Sequence, residues 1–239
     1  VDLLDWFSWL EEPIFTVGGE GVPWADLLGN IAAVATIALA MRRSVLTWPV
    51  QIAGSLLLIV ASLSVNLGGN AARQVVIIVV GAYGWWRWTR RRRAGGAGGD
   101  GAVAVRFATT AERIGLLALL AVGTSAFALL LDALDASWAP WPDAYIFVGS
   151  LVAMLAQARG LVEFWFAWIL VDVVGVPLAV SGGLLFSGAV YTVMFVMVLF
   201  GLRDWWRRGR QARAAAAAPA VPGPSRAPGA GTPSEGASL

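Results

Sequence analysis

The 239-residue chain contains no cysteine, no histidine and no lysine. Without cysteine there is no disulfide, iron–sulfur cluster or thiolate site, and without histidine the commonest metal ligand and general base is gone. Catalysis would have to run on Asp172, Glu163 and arginines, and no metal-ligand cluster is visible. The chain therefore reads as a non-enzyme with no metal and no cofactor. Charge is scarce as well: 13% of residues are charged, the net charge is +2, and every basic residue is an arginine. Nucleic-acid binding is not expected of arginines that follow an apolar segment with no accompanying domain.

What the chain has in abundance is apolar surface. It is 58% hydrophobic with a mean hydropathy of +0.72, far outside the range of a soluble domain of this size. Apolar runs near 25–41, 48–67, 71–88, 112–131, 143–158, 161–180 and 183–203 predict seven membrane-spanning helices in an all-α polytopic fold. The stretch DLLDWFSWLEE ahead of them sets Trp6, Phe7, Trp9 and Leu10 against acids, which predicts an interfacial helix in the segment 1–22. Residues 94–105 read as a flexible loop leading into the fourth span, within a loop-and-linker segment 94–131. The Ala/Pro/Gly-rich segment 211–239 reads as a disordered tail.

Charge asymmetry predicts orientation. Arg42, Arg43, Arg87, Arg90 to Arg93, Arg106, Arg113, Arg159 and the arginines from Arg203 onward fall on one side of the seven spans. Arg73 falls on the other, among Asp2, Asp5, Glu11, Glu12, Glu20, Asp26, Asp132, Asp135 and Asp143. The positive-inside rule makes the arginine side cytoplasmic, with the N-terminus outside and the C-terminus inside.

Sliding the sequence against itself by 117 residues, without a gap, pairs Pro23 with Pro140, Trp24 with Trp141, Asp26 with Asp143 and Arg42 with Arg159. It also pairs Trp48 with Trp165, Gly84 with Gly201 and Trp88 with Trp205. Rare residue types recurring at span ends predict two copies of a three-helix unit, 23–93 and 140–210, with the fourth span as linker. That single extra crossing makes the two copies parallel.

Within the sixth span, Trp165, Trp168 and Asp172 recur at i, i+3 and i+7 and so share one helical face. The same shift maps them onto Trp48, Gln51 and Ser55 of the second span. Asp172 stands about 12 Å from either edge of the apolar run, where a carboxylate is costly and is a functional-site hypothesis by default. Two such stripes facing each other would enclose a cavity suited to a flat polar molecule, with indoles for stacking and a carboxylate or amide for hydroxyls. Asn30 and Tyr145 near the outer ends of spans one and five, and Gln74 and Tyr191 near those of spans three and seven, are further candidates for the path. Other readings stay open. Trp48 and Trp165 fit interface anchors, Asp172 fits a protonated structural acid, and the outer polar residues fit helix-packing glue.

The segments TWPVQIAGSLLLIVAS, AYGWWRW, FWFAW and FGLRDW resemble the PnuC family of bacterial vitamin transporters over roughly residues 24–207. The resemblance implies two parallel three-helix bundles joined by a linker helix, like full-length SWEET sugar transporters, often assembled as trimers. It implies facilitative uptake of a water-soluble vitamin across the bacterial inner membrane, with the substrate retained by a cytoplasmic kinase. Members specific for nicotinamide riboside carry W-x-x-W-x-x-x-N on the sixth span; here Asp172 stands at the asparagine position. WPDAYIFVGSLVAMLAQARGLVEFWFAWILVDVVGVPLAVSGG resembles instead the actinobacterial riboflavin branch, so riboflavin is the substrate that the resemblance implies. Nicotinamide riboside or thiamine, and a substrate-binding subunit served by a separate energising partner, are the alternatives.

Overall fold

A computed structural model describes residues 9–10, 12–17, 20–64, 68–94, 103–137, 139–181 and 185–217. A short antiparallel hairpin comes first, β1 (Pro13–Val17) and β2 (Glu20–Pro23). Among the described residues, seven helices follow: α1 (Trp24–Met41), α2 (Thr47–Ser64), α3 (Gly68–Arg93), α4 (Thr110–Ala133), α5 (Pro140–Ala158), α6 (Phe164–Ser181) and α7 (Leu185–Ala217). The hairpin departs from the all-α expectation for the N-terminal segment. Of the expected interfacial helix, residues 2–8 and 11 lie outside the described residues.

Local chemistry sets several boundaries. The Thr109 side chain accepts from the Glu112 amide while the Glu112 carboxylate accepts from the Thr109 amide, so α4 opens with a capping box. Prolines in the first turn of α5 lack N–H groups that would be unsatisfied there in any case. The turn between α1 and α2 holds Arg43 at φ 56°, and the turn between α5 and α6 holds Gly160 at φ 71°. These two positions are related by the 117-residue shift. The backbone at Arg43 occupies a left-handed conformation that glycine adopts at no steric cost.

The helix α4 is long and apolar enough to cross a membrane. Leu27–Met41, Thr47–Ile59 and Phe164–Pro177 are shorter apolar helical stretches. The helices α3 and α7 run on from their apolar parts into arginines, Arg90 to Arg93 and Arg203 to Arg213. Helices α1, α2 and α3 pack in sequence, as do α5, α6 and α7. The two groups meet through α3 against α5 and α1 against α7, while α4 lies on α5.

The main core sits at the arginine-rich end, around four indoles: Trp48, Trp88, Trp165 and Trp205 are each at most 1% exposed. The Trp88 indole N–H donates to the carbonyls of Gln157 and Ala158 at 3.1 and 3.2 Å. The Trp205 indole N–H donates to the Ala40 carbonyl at 3.2 Å. Trp88 with Trp205, and Ala40 with Gln157, are pairs under the same shift, so each half reaches across to the other by the same bond. Trp88 and Trp205 lie 6.4 Å apart.

Residues 103–108 depart from the flexible loop expected over 94–105, of which 95–102 lie outside the described residues. This segment is a strap across the arginine-rich end, with Val103, Val105 and Ala108 buried. The Val103 amide donates to Arg43 at 3.5 Å, and the Arg106 amide donates to Gly160 at 3.0 Å, so the strap is tied to both equivalent turns. Glu163 accepts from the Ala108 amide at 2.9 Å and pairs with Arg113 at 2.8 Å. Arg106 pairs with Glu112 at 2.6 Å, a contact that holds the guanidinium above its ordinary pKa. At the C-terminus α7 stays helical to Ala217, into the segment expected to be disordered, and residues 218–239 lie outside the described residues.

Candidate functional site

A cavity of about 590 Å³ runs between the two groups of helices, within the range of small-molecule sites. Asp143 in the first turn of α5 and Gln157 in its last turn both line it. These two positions are separated by about 21 Å along the helix at roughly 1.5 Å per residue. At the arginine-rich end the lining is Ala40, Gln157, Phe164 and Trp165, and the fully buried Trp88 and Trp205 lie against it.

The helix α6 supplies the stripe that its spacing predicts. Trp165, Trp168 and Asp172 all line the cavity, with Gly175 and Val176 continuing the same face. Trp165 is held by close approach: a Cβ added at Gly201 would sit 2.3 Å from its ring. Phe164 stacks on Trp165 at 4.3 Å. The Trp165 indole N–H is buried without a hydrogen-bond partner among the described residues. From α2, Gln51 lines the cavity, and under the 117-residue shift it is the counterpart of Trp168.

The other sequence candidates fall elsewhere. Trp48 and Ser55 are buried outside the cavity lining, with the Trp48 ring seated on Gly84, where an added Cβ would come within 2.4 Å. Tyr145 lines a separate apolar groove between α4, α5 and α6 and donates its hydroxyl to the Leu170 carbonyl at 3.2 Å. Gln74 is buried and Asn30 half-buried, both outside the lining. Tyr191 lies on α7, but its side chain is outside the described residues.

Sequence reasoning overlooked α5 as a wall. Asp143, Ile146, Ser150 and Gln157 line the cavity from one face, and their spacing of i, i+3, i+7 and i+14 was the available signal. Gln157 is 5% exposed, a polar side chain placed deep in the protein. Arg73 of α3 and Thr36 of α1 also line the cavity, and the Thr36 hydroxyl donates to the Ala32 carbonyl at 2.8 Å.

The lining thus combines aromatic side chains with two carboxylates, two amides, two hydroxyls and the Arg73 guanidinium. Among the described residues no group of three or more histidines, cysteines or acids could hold a metal. Aromatic side chains beside hydrogen-bonding groups suit the binding of a flat polar molecule.

A family model described as nicotinamide mononucleotide transporter matches residues 23–207. The riboflavin/roseoflavin transporter RibM of Streptomyces davaonensis is 51% identical over 205 residues, covering 85% of this chain and 94% of that protein. The crystal structure of the vitamin B3 transporter PnuC matches with a TM-score of 0.64 at 17% identity, covering 79% of this chain and 83% of that one.

Proposed function

Since this chain belongs to the nicotinamide mononucleotide transporter family, the PnuC family of vitamin transporters, we propose that it carries riboflavin into the cell across the bacterial inner membrane. The observation that carries this reading is the α6 stripe. Trp168 offers a ring face beside the buried Trp165, and Asp172, one turn on, offers acceptors for hydroxyls, which matches a flat ring bearing a polyol chain. The 51% identity to a riboflavin/roseoflavin transporter supports the same substrate.

The helices would form a 3+1+3 membrane domain, two parallel bundles joined by α4, with the arginine-rich end in the cytoplasm and the N-terminus outside. The burial of Trp88, Trp205 and the strap then corresponds to a state closed toward the cytoplasm, with substrate entering past Arg73 and Asp143. Transport is facilitative, because a neutral vitamin does no work against the membrane voltage. By family likeness the assembly is a homotrimer.

Nicotinamide riboside is the second reading, favoured by the fold shared with PnuC and opposed by an acid at the position of Asp172. Binding followed by quenching of tryptophan fluorescence separates the two, because the cavity is lined by the reporter. Riboflavin should bind tighter than nicotinamide riboside and thiamine, and a preference for nicotinamide riboside overturns the assignment. Liposomes holding this protein alone should take up riboflavin down its gradient. Binding without uptake would support a subunit that needs an energising partner.

A further inference from the structure

The two walls that face each other across the cavity are equivalent in position and opposite in chemistry. Under the 117-residue shift, Ala33 of α1 corresponds to Ser150 of α5, and Ala40 corresponds to Gln157. All four line the cavity, and Ile37 lies between the two alanines on the α1 side. Thr36, the polar residue on that wall, has its hydroxyl proton committed to the Ala32 carbonyl. On the α5 side the Ser150 hydroxyl donates to the Ile146 carbonyl at 2.7 Å, which leaves its oxygen as an acceptor. Gln157 brings a primary amide, acceptor and donor side by side, to a position where it is 5% exposed.

A buried amide at the edge of an aromatic-lined cavity is costly unless something pairs with it. Its backbone is already fixed, since the Gln157 carbonyl accepts from Trp88. The side chain therefore starts from a rigid anchor at the end of the cavity that Phe164 and Trp165 also line. Riboflavin has the same polarity along its long axis as the cavity has across it. One end of its ring system is an imide, with an N–H flanked by two carbonyls, and the other is a methyl-substituted benzenoid ring.

Building on the riboflavin reading, we infer that Gln157 is a specificity-determining residue that pairs with the imide edge of the flavin, while the benzenoid edge lies against Ala40 and Ile37 of α1. The amide oxygen accepts from the imide N–H and the amide nitrogen donates to a neighbouring carbonyl, two parallel hydrogen bonds that only one end of the ring can make. The polyol chain then runs along the cavity toward Ser150 and Asp172. A relative named for both riboflavin and roseoflavin fits this orientation. Those two flavins share the imide edge and the polyol and differ in a substituent on the benzenoid ring, the end left to small apolar side chains.

The test compares riboflavin with 3-methylriboflavin, whose imide N–H is blocked, on the native protein and on Gln157→Leu. Blocking the N–H should weaken binding to the native protein at least tenfold, and Gln157→Leu should bind riboflavin and its methyl derivative equally weakly, so that the two changes do not multiply. If 3-methylriboflavin binds the native protein as tightly as riboflavin, or if the two losses multiply independently, the pairing is wrong. The native-protein arm decides even if Gln157→Leu does not fold. A second arm uses Ala40→Leu, which fills the α1 wall. Roseoflavin, with a dimethylamino group in place of a methyl, should lose at least threefold more affinity than riboflavin, and equal losses would overturn the placement of the benzenoid edge. Failure of the native protein to bind riboflavin at all would count against the substrate, a result distinct from every outcome above.

Discussion

The indole N–H of Trp88 donates to the backbone carbonyl of Gln157 at 3.1 Å, tying the last turns of α3 to the residue that ends a cavity wall. Its counterpart Trp205 does the same to Ala40. Replacing either indole by phenylalanine keeps most of the packed ring and removes the bond, at a cost of about 1 kcal/mol in stability. The consequence for access is more telling. The chain has no cysteine, so a thiol introduced at Ala40 reports alone. In Trp205→Phe it should react faster with a reagent applied from the arginine-rich side. An unchanged labelling rate would mean that these bonds do not help to close that end.

Gly84 and Gly201 separate stability from binding. Each gives room to an indole, Trp48 and Trp165 respectively, with added Cβ atoms at 2.4 and 2.3 Å from the rings. Alanine at either site should cost about 1–3 kcal/mol through overpacking. Trp165 lines the cavity and Trp48 does not, so Gly201→Ala should also weaken ligand binding several-fold while Gly84→Ala leaves it near native. Thermal unfolding and fluorescence titration on the same samples check both halves, and equal binding losses would remove Trp165 from the ligand's surroundings.

The helices were legible in the sequence because long apolar runs are written in composition. The seven apolar runs match seven helices, and the rare tryptophans at span ends exposed an offset that also relates Trp88 to Trp205 in bonding. The α6 stripe was legible because three chemically distinctive residues share a face. The α2 stripe did not carry over whole. Of its three positions Gln51 reaches the cavity, while Trp48 packs on Gly84. Helical spacing says which residues share a face, not which way that face turns. A lone amide near a helix end resembles a solvated cap in sequence, and the bond that joins Gln157 to Trp88 spans 69 positions. The glycine-rich stretch ahead of the strap hides the apolar alternation of Val103 and Val105, which are buried against the bundle end.

The strap predicts an asymmetry between two ends of one ion pair. Arg113 is 53% exposed and Glu163 19%, so Arg113→Gln should change stability by less than about 1 kcal/mol. Glu163→Ala removes in addition the acceptor for the Ala108 amide, leaving the donor of a buried residue unpaired, and should cost about 1–3 kcal/mol. Hydrogen exchange should then speed up at Ala108 and its neighbours in Glu163→Ala but not in Arg113→Gln. Equal effects in the two variants would show that the ion pair, rather than the amide contact, fastens the strap.

Asp172 lines the cavity one helical turn from Trp168, at a depth where an acid without a task would be a liability. If its oxygens accept hydrogen bonds from the polyol, Asp172→Asn exchanges one acceptor for a donor in nearly the same volume. Riboflavin affinity should then fall about tenfold, roughly 1.4 kcal/mol, while folding and assembly persist. Relative affinity for nicotinamide riboside should rise, because asparagine is the residue that resemblance associates with that substrate. Asp172→Leu should insert at least as well as the native chain, since a polar group leaves hydrocarbon depth, yet lose uptake in liposomes. Normal riboflavin uptake by Asp172→Leu would make the carboxylate neither ligand nor coupling group, and the α6 stripe would then bind through its indoles alone.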